Sequence, residues 1–403
     1  MGLTLRQFNG DPASPEPPPT LSSIIGTGAH RFDAAYLHVP FCFHKCHYCD
    51  FYSVVDADDQ QESFIERLVG EVELQARHVS GPLDSVFMGG GTPTLLRPEL
   101  LSRLLEAIST HLPLSDGCEW TVEANPETVT PEIAEVLAAG GVNRASIGCQ
   151  SFSPRLLRAL ERRHDPASVP RAVESLRRAG IGSCSLDLIM GIPGSSMADW
   201  RSDLEQAIAL EPDHLSCYGL QYEPNTPLAA KLAGGRVEAV ALEVSAGMYE
   251  WTCERLRTAG WEQYEISNWA RPGRCCRHNL VYWTGGSWLA MGPSAAGHLD
   301  GVRWRNVPRH ASWQAGDGWP LLEDLERLDD STRHGEQLML ELRLNRGIEL
   351  DRLDCMVQGD GCEQRRVAIE TGRRDGLLEL ESGRLRLTAR GRLLADSLLC
   401  QLV

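Results

Sequence analysis

Three cysteines, Cys42, Cys46 and Cys49, stand in a C-x3-C-x2-C spacing within the run Cys42-Phe43-His44-Lys45-Cys46-His47-Tyr48-Cys49. Three thiolates on so short a loop can hold three irons of a cubane iron–sulfur cluster and leave the fourth iron open. An open iron takes a bidentate amino-carboxylate, the group that S-adenosylmethionine carries, and an electron from the cluster then cleaves its C–S bond. A zinc site prefers paired C-x2-C hooks and four ligands. No second hook lies near these residues, and the adjacent Cys275 and Cys276 are poor joint ligands. The spacing therefore predicts a [4Fe-4S] cluster that binds S-adenosylmethionine.

A loop of this kind needs a rigid support, and the flanking sequence supplies one. Short apolar runs read as strands over Tyr36–Pro40, Ser85–Met88, Glu119–Glu123, Arg144–Gly148, Cys184–Met190 and His214–Tyr218. Between them lie stretches with apolar residues three and four apart, over Glu62–Ala76, Pro98–His111, Pro131–Ala139, Val169–Gly180 and Ala198–Leu210, which read as helices. Thr130 before Pro131 is an N-cap followed by proline at the first helical position. Six strand-then-helix units imply parallel strands joined by right-handed crossovers. Six are too few for a closed eight-stranded barrel, so the α/β fold expected is a partial (β/α)6 barrel.

Each predicted strand ends in polar or glycine-rich residues. In order these are the cysteine cluster, Gly89-Gly90-Gly91-Thr92-Pro93, Glu123, Gln150, Asp187 with Gly191-Ile192-Pro193-Gly194, and Gln221-Tyr222. Parallel barrels build their sites at that end. A lone Glu or Asp there is more often a structural cap than a ligand.

After Asn225 the alternation breaks down into a mixed stretch rich in Trp and Gly. A new pattern starts near Asp330, with helices over His334–Arg343 and Glu363–Arg374. A hairpin follows over Leu377–Leu387, turning at Ser382-Gly383, and a last helix over Ala389–Leu402. This reads as a small winged-helix-like α+β domain. The division expected is a disordered Pro-rich lead-in over 1–30 (Asp11–Pro19 reads DPASPEPPP), a partial barrel over 31–225, an extension over 226–330 and the winged-helix-like domain over 331–403.

The net charge of -16 opposes phosphate backbones, so nucleic acid is not an expected partner, even for a winged helix. No run of about 18 apolar residues occurs, so no transmembrane segment is expected, which leaves a transient membrane association open. The first residues lack the apolar core of a signal peptide. Thirteen cysteines, an odd number in 403 residues, do not form a secreted disulfide framework and point to a reducing, cytoplasmic setting.

The runs YLHVPFCFHKCHYCDFYS, GGGTPT, VEANPE, RASIGCQSF, LERRH and DLIMGIPG resemble the radical SAM proteins grouped with oxygen-independent coproporphyrinogen III oxidase. The resemblance runs from about Tyr36 to the C-terminus. It implies a set of cofactor contacts. Tyr36 would face S-adenosylmethionine near the cluster, and Tyr48 would contact the adenine. Gly90, Gly91 and Thr92 would let the backbone approach the methionine amino group. Glu123, Gln150, Arg162 and Asp187 match the family's polar contacts, and Gln221 falls at a further backbone contact.

Two departures from the oxidase stand out. Its pattern has a fourth cysteine two residues after the third, where this chain has Phe51. Its longer N-terminal arm is also missing, since 35 residues precede Tyr36 here. Both oppose coproporphyrinogen dehydrogenase activity, and the class of reaction, if any, stays open. His278-Asn279-Leu280-Val281-Tyr282-Trp283 matches instead the H-N-x-x-Y-W signature of the heme chaperone branch.

From its residues alone, His278 reads first as a turn or core residue. The resemblance makes it a candidate heme contact, with His38, His44 and His47 as rivals. The expected function is to bind heme and transfer it to an acceptor protein, with an electron donor for the cluster. The alternative is oxidative decarboxylation of coproporphyrinogen III in porphyrin biosynthesis. A tRNA- or DNA-acting radical SAM enzyme is a weaker reading.

Overall fold

The computed structural model describes residues 19–55, 60–315, 318–358 and 362–403. Most of the Pro-rich lead-in, residues 1–18, lies outside that range. The rest of the expected lead-in is structured. Ser22–Ile25 is a short helix, Thr20 bridges to Leu321, and Leu21 and Ile25 are buried in the main core.

Six parallel strands form the centre of the molecule: β1 (Ala34–Val39), β2 (Leu83–Gly90), β3 (Leu114–Ala124), β4 (Arg144–Gln150), β5 (Ser183–Met190) and β6 (His214–Gly219). All six expected strands are present, most of them longer than the apolar runs that announced them. Parallel strands bury both faces, so the runs are nearly continuous rather than alternating. On one side, helices α1 (Gln61–Ala76), α2 (Pro98–His111), α3 (Pro131–Ala139), α4 (Ser168–Arg178) and α5 (Met197–Ala209) cover the sheet. In α2 the buried Leu100, Leu101, Leu104, Leu105 and Ile108 recur at helical spacing and form the inner stripe. The Thr130 hydroxyl accepts from the Ile133 amide and caps α3 as the sequence predicts. A reciprocal Ser196–Asp199 box starts α5.

The stretch after residue 225 does more than pack on this unit. It adds strands to both edges of the same sheet. β7 (Glu262–Glu265) and β8 (Asn268–Ala270) continue it antiparallel beyond β6. β9 (Trp288–Met291) lies parallel to β1 on the opposite edge, and β10 (Ala296–Leu299), β11 (Val302–Asn306) and β12 (Leu322–Arg327) extend it as a meander. The result is a twelve-stranded sheet in the order β7-β8-β6-β5-β4-β3-β2-β1-β9-β10-β11-β12. The six-strand block stays open because each of its edge strands pairs with an added strand and not with the other edge.

The C-terminal unit has its own core, with Leu338, Leu342, Ile348, Leu385 and Leu399 fully buried. Helices Asp330–Glu341, Leu350–Val357 and Glu363–Arg374 precede the hairpin Leu378–Glu381/Arg384–Leu387. Ser382 and Gly383 both have positive φ, as a two-residue hairpin turn of the favoured hand requires. The expected final helix is two five-residue helices, Ala389–Leu393 and Ala395–Leu399, broken at Leu394. Asn345 ties this unit to the sheet edge through its amide, which donates to the Tyr264 carbonyl at 2.9 Å.

Candidate active site at the strand ends

The cysteine loop leaves the end of β1. Phe41–Cys42 pairs with Val54–Val55, so the loop closes on itself at its base. The Gly91 amide donates to the Val39 carbonyl and the Thr92 amide to the Phe41 carbonyl, both at 2.8 Å. The segment after β2 thereby holds the start of the cysteine loop. Cys46 is buried, and Cys42 and Cys49 are half-buried. Two of the three sulfurs have a polar side chain nearby: Thr92 Oγ1 lies 3.8 Å from Cys42 Sγ, and Arg162 Nη1 lies 3.7 Å from Cys46 Sγ. Burial pushes the Cys42 thiol up, with a further push from Cys46, and pushes Cys49 up to about 11, with smaller pushes from Cys46 and Cys42. Among the described residues no three His, Cys, Asp or Glu side chains are gathered closely enough to hold a metal ion. The donor set still suits an iron–sulfur cluster, because the three thiols share one loop, with the Thr92 hydroxyl and the Arg162 guanidinium beside two of them.

The remaining predicted residues sit at the same end of the sheet. Glu123 Oε2 accepts from the Gly90 amide at 3.0 Å. Burial lifts its carboxyl to about 7, against that hydrogen bond, and Asp187 adds a smaller push upward. Asp187 is also raised by burial, opposed by the hydroxyls of Ser216, Ser146 and Ser185. Ser146 Oγ lies 3.1 Å from both of its oxygens. Arg162 is held three ways: Nη2 donates to the Gly148 carbonyl at 3.1 Å, Nε to His164 Nδ1 at 3.2 Å, and Nη1 points at Cys46.

Gln150 follows a bulge in β4 and has a left-handed backbone, φ 64°. That geometry re-aims the side chain at the strand end. Burial raises Tyr48, and it feels Arg162, Cys46, Cys49 and Asp187. Tyr36 stacks on Phe87 with ring centroids 6.2 Å apart, and burial raises its hydroxyl well above the ordinary value. Gln221 is exposed on the loop after β6.

The surroundings of the glycines and of His278 bear on two of the expected contacts. A Cβ on Gly91 would lie 2.6 Å from the Pro40 carbonyl carbon and 2.7 Å from the Phe41 oxygen, and one on Gly90 would strike the His38 ring. These glycines permit the chain to pack closely on its own cysteine loop, and Gly90 also needs its φ of 97°. The space a side chain would take is filled by protein.

The second concerns His278. It lies on the helix Arg277–Trp283 and is buried. Its Nδ1 is 3.0 Å from Ser85 Oγ and its Nε2 is 2.8 Å from Tyr282 OH. Burial drops its pKa to about 3. Both ring nitrogens are engaged by protein hydroxyls. It forms a floor beneath Phe87, ring centroids 5.1 Å apart, inside the sheet.

Polar residues that sequence reading passed over complete that interior. Ser185 and Tyr264 hold the two nitrogens of buried His214 at 2.8 and 2.9 Å. Glu119 accepts from the His278 amide at 3.2 Å. A signal was present: Arg144, Ser146 and Gly148, and Ser183, Ser185 and Asp187, repeat every second residue in otherwise apolar strands, which marks one polar face.

An open parallel sheet carrying a three-cysteine loop after its first strand defines a radical SAM protein. The Radical SAM superfamily profile matches residues 36–207, and that of the HemN C-terminal domain matches residues 328–394. The chain belongs to the family of the heme chaperone HemW. It is 40% identical over 369 residues to Heme chaperone HemW of Mycobacterium tuberculosis (strain CDC 1551 / Oshkosh), covering 90% of this chain and 92% of that one. The Lactococcus lactis protein of the same name is 34% identical, over 80% of this chain and 84% of its own length. Among solved structures, coproporphyrinogen III oxidase (HemN) from Escherichia coli shares the fold at a TM-score of 0.81, with 20% identity over 94% of this chain and 92% of its own. Membership of the radical SAM superfamily implies a [4Fe-4S] cluster and S-adenosylmethionine. No helix among the described residues is long and apolar enough to cross a membrane.

Proposed function

We propose that this chain is a heme chaperone: it binds heme and passes it to an acceptor protein, in the cytoplasm, with a cluster and S-adenosylmethionine that depend on an external electron donor. The observation that carries the reading is the 40% identity to a heme chaperone along nearly the whole chain, against 20% to the oxidase whose fold it shares. The cysteine loop agrees with it. Phe51 is 62% exposed at the position where the oxidase pattern has its fourth cysteine.

In this reading Cys42, Cys46 and Cys49 hold the cluster. When bound, it offers an open iron to the amino-carboxylate of S-adenosylmethionine and an electron to its sulfonium. The guanidinium of Arg162 sets a positive charge beside Cys46. The Gly90 amide orients Glu123 toward the strand ends, and the three serines orient Asp187. Both carboxyls are acceptors suited to ribose hydroxyls or an ammonium. Tyr36 and Tyr48 supply ring surface on either side of the loop base, and Gln150 adds an amide at the bulge.

The test is anaerobic reconstitution of the full chain, followed by heme titration and a coproporphyrinogen III conversion assay on one sample. The expected result is about one equivalent of bound heme, transfer of that heme to a heme-free acceptor, and no protoporphyrinogen IX. Steady conversion without heme binding would overturn the reading and promote the oxidase.

A further inference from the structure

Heme binding needs an iron ligand, and the histidines near the site differ sharply in what they offer. His278 and His214 have both ring nitrogens bonded. So has His38, whose Nε2 donates to the Tyr52 carbonyl at 2.8 Å while Nδ1 accepts from Tyr36 OH at 3.2 Å. On the cysteine loop the situation reverses. His44 Nε2 and His47 Nδ1 are buried and have no hydrogen-bond partner among the described residues. A buried imidazole nitrogen left unpaired is costly, so a missing partner is the natural explanation.

The two differ in freedom. His47 Nδ1 faces Glu161 Oε1 at 4.0 Å, its amide donates to the Leu160 carbonyl at 3.3 Å, and its carbonyl accepts from the Leu228 amide at 2.9 Å. His44 sits at a bend with a half-exposed ring and makes no hydrogen bond among the described residues. For that nitrogen to meet an external iron, the side chain must rotate.

The surroundings of His44 are those a metalloporphyrin requires. Phe43 is 68% exposed, Phe51 62% and Val55 54%, all on the same loop. Exposed aromatic rings in one short segment mark a binding surface more than a solvated one. An apolar macrocycle with a central iron and carboxylate arms matches a loop that carries an imidazole and two exposed aromatic rings. Lys45, exposed beside His44, suits a carboxylate arm.

We propose that His44 is the axial heme ligand and that Phe43 and Phe51 pack against the macrocycle, so that heme docks on the loop that carries the cluster cysteines. This rests on the heme chaperone reading and adds the place and the ligand. It also separates the heme contact from the His278–Trp283 motif, which the structure puts in the interior.

The test uses the reconstituted full chain and ferric heme as the probe, followed by absorption titration. Iron–sulfur content and S-adenosylmethionine binding on the same samples report folding. His44→Ala is expected to lower heme affinity at least tenfold and shift the Soret band, with added free imidazole restoring the wild-type spectrum. His44→Gln should behave as His44→Ala, because a carboxamide is not a heme-iron ligand, and it serves where His44→Ala fails to assemble its cluster. His47→Ala should keep the wild-type spectrum. The inference is overturned if wild type binds heme and both His44 variants keep its affinity and spectrum. It is equally overturned if the loss follows His47, or if His44→Gln binds as wild type and imidazole rescues nothing. A wild-type chain that binds no heme overturns the chaperone reading itself, and this inference with it.

Discussion

Ser85 Oγ and His278 Nδ1 lie 3.0 Å apart, joining the second parallel strand to a helix 193 residues further along the chain. With Tyr282 OH on the other nitrogen, that contact makes the histidine a buried strut under the site. Replacing it leaves two hydroxyls without a partner and an opening under Phe87. His278→Ala should therefore destabilise the chain by roughly 2–3 kcal/mol in urea unfolding. Heme affinity should stay within a factor of two of wild type in the surviving folded protein. A selective loss of heme binding at unchanged stability would show that the strut reading is wrong.

The glycine run gives a prediction that differs from what its composition suggests. A valine at 91 would drive its Cβ into the Pro40–Phe41 backbone, one residue before Cys42. Gly91→Val should then lose cluster iron and S-adenosylmethionine affinity together. Full iron content with weakened ligand binding would mean that the turn touches the ligand and not the loop.

Cysteines divide by position in the same way. Ala at Cys42, Cys46 or Cys49 should abolish the visible absorbance of the reconstituted cluster. Ala at Cys118, Cys149, Cys184 or Cys217, all buried in the core, should leave it and cost only packing. Iron analysis of the seven variants checks the division, and an essential cysteine in the second group would break it.

These sites were legible to different degrees for physical reasons. The six central strands showed because each holds a short run of largely buried residues bounded by turns, and their ends showed because polar residues there have no packing role. The edge strands did not show. Asn268–Ala270 and Trp288–Met291 are three and four residues long, too short for a period to emerge. The partner of Trp288–Met291 is Ala34–Val39, some two hundred and fifty residues earlier, and no local pattern encodes that pairing. His278 is a related case. Its motif could be read, but whether its imidazole faces a cofactor or a serine depends on a contact made by the fold.

The last prediction concerns Glu71, on the helix Gln61–Ala76 and fully buried. Its carboxylate accepts from Gln75 Nε2 at 2.9 Å, Trp313 Nε1 at 2.8 Å and the Gly292 amide at 3.3 Å, with Arg67 at 4.0 Å. Burial outweighs these contacts and lifts its pKa from 4.5 to about 7. The native state therefore keeps the proton up to about pH 7, whereas the unfolded chain releases it near the ordinary value. Between those limits the unfolded state binds fewer protons, so stability falls as pH rises. Across the whole window the contribution is roughly 3 kcal/mol. Glu71→Gln cannot ionise and should remove that slope, whatever it does to absolute stability by presenting an amide to Trp313. Urea midpoints for both proteins at pH 5 and pH 8 provide the check. Wild type should lose more stability than the variant on going to pH 8, and equal losses would mean that Glu71 is already ionised in the native state at pH 5.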